Sequence, residues 1–216
     1  MGSVFGGLQV FHLEKVVFLR ERGSKTYRVG SYYLAKTFAE IPQIILFPTL
    51  FSIIAYWLVG FKPTAEAFFT FVAVVVSLSF CAQALGLLIS AGTPSPDVAM
   101  AISPVLITIL MLFGGFYLNP ENIDPWFIWL YYISLFRYSF QALVINEFSG
   151  QTFNCLDSEL VGNACPITTG EQVLQLRSME HMNVWLNIAT LWGIFFALRI
   201  AGYLVMRFYQ RPKLQR

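Results

Sequence analysis

The sequence predicts an all-α integral membrane protein with about four transmembrane helices and a re-entrant or interfacial aromatic helical hairpin. Three observations carry that prediction. Of the 216 residues, 56% are hydrophobic and only 12% are charged, against about 25% charged in soluble domains. The run from Val98 to Leu118 contains no charge, and at about 1.5 Å of rise per residue it spans roughly 30 Å, the thickness of a bilayer's hydrocarbon core. Charges stand only at its borders, Asp97 before it and Glu121 and Asp124 after it, where water or headgroups solvate them. A net charge of +2, with no basic stretch interleaved with aromatics in a polar region, points away from nucleic acid.

Residues 1–30 open on MGSVFGG, which has neither a basic n-region nor a small-residue cleavage site, so no signal peptide is expected. A myristoylation-like start fails because its sixth position is glycine. Phe11, Val16, Phe18 and Leu19 form one apolar stripe among seven charged positions, Glu14, Lys15, Arg20, Glu21, Arg22, Lys25 and Arg28, as in an amphipathic interfacial helix. Its basic residues place it in the cytoplasm, as a solvated juxtamembrane anchor or as a docking element for a partner.

The region 31–118 reads as three transmembrane helices, 31–60, 66–92 and 98–118. In the first, Tyr32, Tyr33 and Lys36 stand at one end and Tyr56 and Trp57 at the other, as interfacial anchors do. Pro42 and Pro48 are expected to bend it. Glu40 lies one turn inside, costly in lipid unless paired; Lys36, four residues earlier, shares its face, and a substrate or proton site is the alternative role. The second helix is rich in small residues in its latter half, Ala82, Ala84, Gly86, Ser90, Ala91 and Gly92, which let helix backbones approach closely. Its Cys81 reads as inert packing. Thr93-Pro94-Ser95-Pro96 makes a stiff loop, and Asp97 has the side chain of an N-cap for the third helix.

The aromatic block Trp126–Asn146 is also long enough to cross. A crossing would put Arg137 near the bilayer centre at a cost of some kilocalories per mole. Charge bias and cysteine placement favour a re-entrant segment, 119–147, followed by an extracellular or lumenal loop, 148–183. That loop carries Arg177 as its one basic residue and no N-x-S/T acceptor. Cys155 and Cys165 either close on each other, worth roughly 3 kcal/mol by loop entropy, or bridge to another chain. The last helix, 184–206, carries Trp185 and Trp192 toward the loop and Arg199 inside, where it snorkels or faces the bundle. The tail, 207–216, is basic, which leaves both ends cytoplasmic. No phosphate-binding loop, no HExxH, no CxxC and no paired intramembrane carboxylates occur, and His12 and His181 fall on opposite sides of the membrane. No catalytic residue, metal site or cofactor is therefore expected in this chain.

Four ordered blocks carry a family resemblance: RERGSKTYRVGSYYLAKTFAEIP, GFKPTAEAFF, FGGFYLNPENIDPWFIWLYYISLFRYSFQALVINEF and the NC…CPITTGEQVL loop. Together they resemble the membrane domain of white/brown-type (G subfamily) ABC half-transporters, over nearly the whole chain. Against that family's plan the ATPase domain, the first membrane helix and most of the second are missing, so the chain corresponds to the C-terminal part. The resemblance implies that Glu14, Arg20, Glu21 and Arg28 lie in the segment that couples to a nucleotide-binding domain, where ATP and Mg would be held. It implies that Ala101, Val105 and Thr108 line the substrate path at a dimer axis. Phe116 and Tyr117 fall at a hydrophobic plug, where the residues alone would read as interfacial anchors. It further implies an intrachain disulfide between Cys155 and Cys165. The implied function is the substrate-translocating part of an ATP-driven exporter of hydrophobic or amphipathic compounds such as lipids, sterols, pigments or xenobiotics, in a homo- or heterodimer of half-transporters in the plasma or an organelle membrane. Apolar path residues imply selection by shape and hydrophobicity. The alternatives are a truncated, non-transporting paralogue that regulates a full-length half-transporter, and a fragment of a longer gene product.

Overall fold

The structure, a computed structural model, describes residues 29–117, 123–153, 167–176 and 183–208. Among them are seven helices: α1 (Val29–Val59), α2 (Ala65–Gly92), α3 (Pro96–Leu112), α4 (Ile128–Ile133), α5 (Leu135–Phe148), α6 (Gly170–Leu176) and α7 (Val184–Phe208). No strand forms among the described residues; a single bridge pairs Thr152 with Thr169. Helices α1, α2 and α7 are long and apolar enough to cross a membrane. At 31, 28 and 25 residues they run about 46, 42 and 38 Å.

These three helices begin and end within two residues of the sequence-based bounds. Helix α1 continues through Pro42 and Pro48, each of which removes one intrahelical donor. Helix α3 differs. It has 17 residues, about 26 Å, and ends at Leu112, six residues short of the apolar run. Two glycines stop it. The Gly114 N–H turns back to the Met111 carbonyl at 3.0 Å, and Gly115 takes φ 85°, a region that disfavours any residue with a Cβ. A Cβ on Gly114 would meet the Met111 carbonyl at 2.9 Å and the Phe136 Cβ at 3.0 Å. Gly114→Ala is therefore expected to destabilise the protein by about 1–3 kcal/mol, read as a lower thermal midpoint in detergent. The start of α3 also differs from expectation: Ser95 Oγ accepts the Val98 N–H at 3.5 Å, and Asp97 lies inside the first turn, where it complements the helix dipole.

The aromatic block is two helices. Ser134, at φ −64° and ψ 116°, is extended and separates α4 from α5. The break is satisfied from both sides: the Ser134 N–H donates to the Leu130 carbonyl at 3.1 Å and its buried hydroxyl to the Leu110 carbonyl at 2.6 Å. Leu110 lost its own helical donor when Gly114 turned toward Met111. With six and 14 residues, roughly 9 and 21 Å, neither helix is long enough to cross alone.

The chain forms two compact units. The first takes the described residues of Met1–Phe51, Val75–Ile109 and Leu191–Arg216. Tyr33, Leu87, Ala91 and Met206 form a buried cluster there, and Gly202 admits the Tyr33 hydroxyl, which would lie 3.1 Å from an added Cβ. Phe80, Trp192 and Phe195 pack as an aromatic trio. The expected inert Cys81 is buried and donates to the Leu191 carbonyl at 3.1 Å. The second unit takes Ser52–Val74 and the described residues of Leu110–Thr190. Tyr56, only 1% exposed, is ringed by Trp57, Phe61, Phe68 and Phe71, and its hydroxyl donates to the Lys62 carbonyl at 2.6 Å.

Candidate functional site

Three groups of residues have the chemistry of a site. The first is a buried ionic cluster in the first unit. Lys36 Nζ lies 3.4 Å from one Glu40 oxygen and Arg199 Nη2 lies 3.5 Å from the other. The side chains are 6, 13 and 7% exposed for Lys36, Glu40 and Arg199. Helical spacing delivers Lys36 and Glu40 to one face of α1, and α7 adds the second cation. Arg199 Nη1 also donates to Thr37 Oγ1 at 3.2 Å, while the Tyr33 hydroxyl donates to the Arg199 carbonyl at 2.8 Å. Arg199 therefore faces the helices. In a low-dielectric surround two cations tolerate each other only because the carboxylate divides its two oxygens between them.

The second group is on α3. Ala101, Val105 and Thr108 follow one another at four and three residues, which places them on one face. All three are exposed in the single chain, Val105 by 60%. The opposite face, Ala99, Ser103 and Ile107, is buried. Thr108 Oγ1 donates to the Pro104 carbonyl at 2.7 Å, so the polar group of the exposed face is turned onto its own backbone.

The third group belongs to the second unit. Phe116 and Tyr117 follow the Gly114-Gly115 turn, are 55 and 56% exposed, and stand edge to face with ring centres 4.9 Å apart. Phe116 also packs edge to face on Phe140 of α5, at 5.6 Å. The same helix buries Arg137, whose guanidinium lies over the rings of Tyr131 at 4.0 Å, Tyr132 at 4.6 Å and Tyr138 at 5.1 Å. Its Nε and Nη1 have no hydrogen-bond partner among the described residues, and the ring faces supply part of the attraction. Sequence reasoning saw Arg137 as a cost and missed this cage. The neighbouring tyrosines were the available signal.

Several expected site residues lie outside the described residues: Glu14, Arg20, Glu21 and Arg28 of the coupling segment, and Cys155 and Cys165. The stems of the cysteine-bearing loop are described. The Phe153 N–H donates to the Thr168 carbonyl and the Gly170 N–H to the Gln151 carbonyl, both at 2.8 Å, which holds the two stems side by side. Among the described residues no group of His, Cys, Asp and Glu could hold a metal ion.

Three helices long and apolar enough to cross a membrane, with large hydrophobic side chains exposed along them, mark a membrane-embedded domain. The family model for the ABC-2 type transporter matches residues 1–148, and the chain belongs to that family. Similar proteins include ABC transporter G family member 7 of Arabidopsis thaliana, 38% identical over all of this chain and 29% of its own length. Protein white of Ceratitis capitata is 34% identical over 97% of this chain and 31% of its own length. ABC transporter G family member 1 of Dictyostelium discoideum is 32% identical over 98% and 27% respectively. The chain is thus a transmembrane domain of the white-type G subfamily and the membrane portion of a transporter. It spans less than a third of the length of these relatives.

Proposed function

We propose that this chain forms half of an export path for hydrophobic or amphipathic compounds such as lipids, sterols, pigments or xenobiotics, driven by ATP hydrolysis in a nucleotide-binding domain. The observation that carries the reading is the face of α3: Ala101, Val105 and Thr108 are exposed, with the Thr108 hydroxyl turned onto its own backbone, while Ala99, Ser103 and Ile107 on the opposite face are buried. An apolar face left open within one chain fits a path shared with a second half-transporter, in a homo- or heterodimer. Phe116 and Tyr117 would close that path by ring contacts across the axis and open it with a small helix rotation. Glu14, Arg20, Glu21 and Arg28 would receive the ATP stroke. Segment 119–147 would re-enter rather than cross, supported by the break at Ser134. Loop 148–183, with its Cys155–Cys165 disulfide, would then be extracellular or lumenal and both ends cytoplasmic.

Inside-out vesicles carrying this chain together with a nucleotide-binding domain of the family test the reading. ATP-dependent accumulation of a fluorescent lipid analogue is expected, and Val105→Trp, which fills the exposed face, is expected to reduce it at least tenfold, or ~1.4 kcal/mol. Accumulation indifferent to both ATP and Val105→Trp would overturn the proposal. If the chain instead carried nothing and lowered export by a co-expressed full-length half-transporter, the regulatory paralogue reading would replace it.

A further inference from the structure

In the second unit a cavity of about 240 Å³ is lined by Lys62, Thr64, Glu66, Asn146, Ser149 and Trp185, among others. Its walls come from the turn after α1, the first turn of α2, the end of α5 and the first turn of α7. Three of the four helices whose ends meet here, α1, α2 and α7, are long and apolar enough to cross a membrane, which puts the cavity at the depth of lipid headgroups, where tryptophan and lysine concentrate. Pockets that enclose a drug-sized molecule run from roughly 300 Å³ upward. This one suits a headgroup and leaves acyl chains outside.

Its charges are of both signs and are not used up by one another. Lys62 Nζ donates to the Ser149 carbonyl at 3.2 Å, one of the three hydrogens an ammonium carries. No hydrogen bond or ion pair is made by the Glu66 carboxylate among the described residues. The neighbouring acid is committed: Glu147 accepts the Lys62 backbone N–H at 3.1 and 3.3 Å and the Gln151 amide at 3.4 Å. The first-turn N–H groups of α2 add donors that lack an intrahelical acceptor. Trp185 adds an exposed indole, an aromatic surface suited to a quaternary or primary ammonium.

We propose that this cavity binds the headgroup of a zwitterionic phospholipid, its phosphate on Lys62 and the α2 donors and its ammonium or choline on Glu66 and Trp185. The site requires only that α1, α2 and α7 span a bilayer, and stands apart from the export reading.

Native mass spectrometry of the detergent-solubilised chain, titrated with phosphatidylcholine, phosphatidylethanolamine and phosphatidylglycerol, tests it. Both zwitterionic lipids are expected to bind at least fivefold more tightly than phosphatidylglycerol. Lys62→Gln should weaken phosphatidylcholine roughly fivefold to tenfold, and Lys62→Arg should retain it. Glu66→Gln should weaken both zwitterionic lipids and reverse the preference in favour of phosphatidylglycerol. The Lys62 and Glu66 side chains project from a turn and an exposed helix start, and an unchanged thermal midpoint without added lipid confirms that the variants fold. Equal binding of all three lipids, or wild-type phosphatidylcholine binding by both Lys62→Gln and Glu66→Gln, would overturn the proposal. So would soluble phosphocholine binding as tightly as the lipid, which would make the occupant a free solute.

Discussion

Glu40→Gln is expected to lower the stability of the protein by about 3–5 kcal/mol, the cost of removing one partner from a buried ionic group. Glutamine keeps the shape and loses the charge, leaving the Lys36 and Arg199 cations, both almost wholly buried, without the anion that separates them. The measurement is the thermal midpoint and folded yield of the detergent-solubilised chain. The triple variant Lys36→Met, Glu40→Gln and Arg199→Met should recover much of the loss, because an uncharged replacement of comparable volume removes the repulsion along with the attraction. Full wild-type stability in the single variant would show that water reaches the cluster and screens it.

Arg137→Ala is expected to cost about 3 kcal/mol. Roughly 2 kcal/mol comes from a desolvated cation lying on three ring faces, and the remainder from the void left among Tyr131, Tyr132 and Tyr138. Arg137→Lys should recover less than half of this, since an ammonium keeps the charge but cannot lie flat along a ring. Near-ultraviolet circular dichroism of the tyrosines, followed through thermal unfolding, separates the two variants. If lysine restored full stability, charge alone would suffice and the guanidinium's close approach to the three rings would be incidental.

Local signals carried far in this chain. The bounds of α1, α2 and α7 follow from long apolar runs set between turn residues, and the Lys36–Glu40 pair follows from helical spacing alone. Arg199 was readable as a costly residue, though its partner was not, because Glu40 lies 159 positions away in sequence. The end of α3 shows the limit of an apolar-run argument. Hydrophobicity continues to Leu118, while the helix stops where Gly114 fits against Phe136, a contact no composition rule contains. The break at Ser134 is equally non-local: neither glycine nor proline marks it, and the hydroxyl's acceptor, Leu110, is 24 residues earlier. Ala101, Val105 and Thr108 came from resemblance, and the structure adds that all three are exposed along one side of α3.

On the export path proposed above, the hydrogen bond from Thr108 to Pro104 would alter what a passing molecule encounters. A threonine whose one donor is committed to its own helix has no hydrogen left to donate to a solute and offers only its methyl group and the remaining lone pairs of its oxygen. A compound rich in hydroxyls or amides would surrender its hydration along that surface and regain only what the remaining lone pairs of Thr108 Oγ1 accept. If it lines the proposed path, such a surface would rank compounds largely by oil–water partition. It passes over the positions of their functional groups, so chemically unrelated molecules of similar lipophilicity would compete with one another.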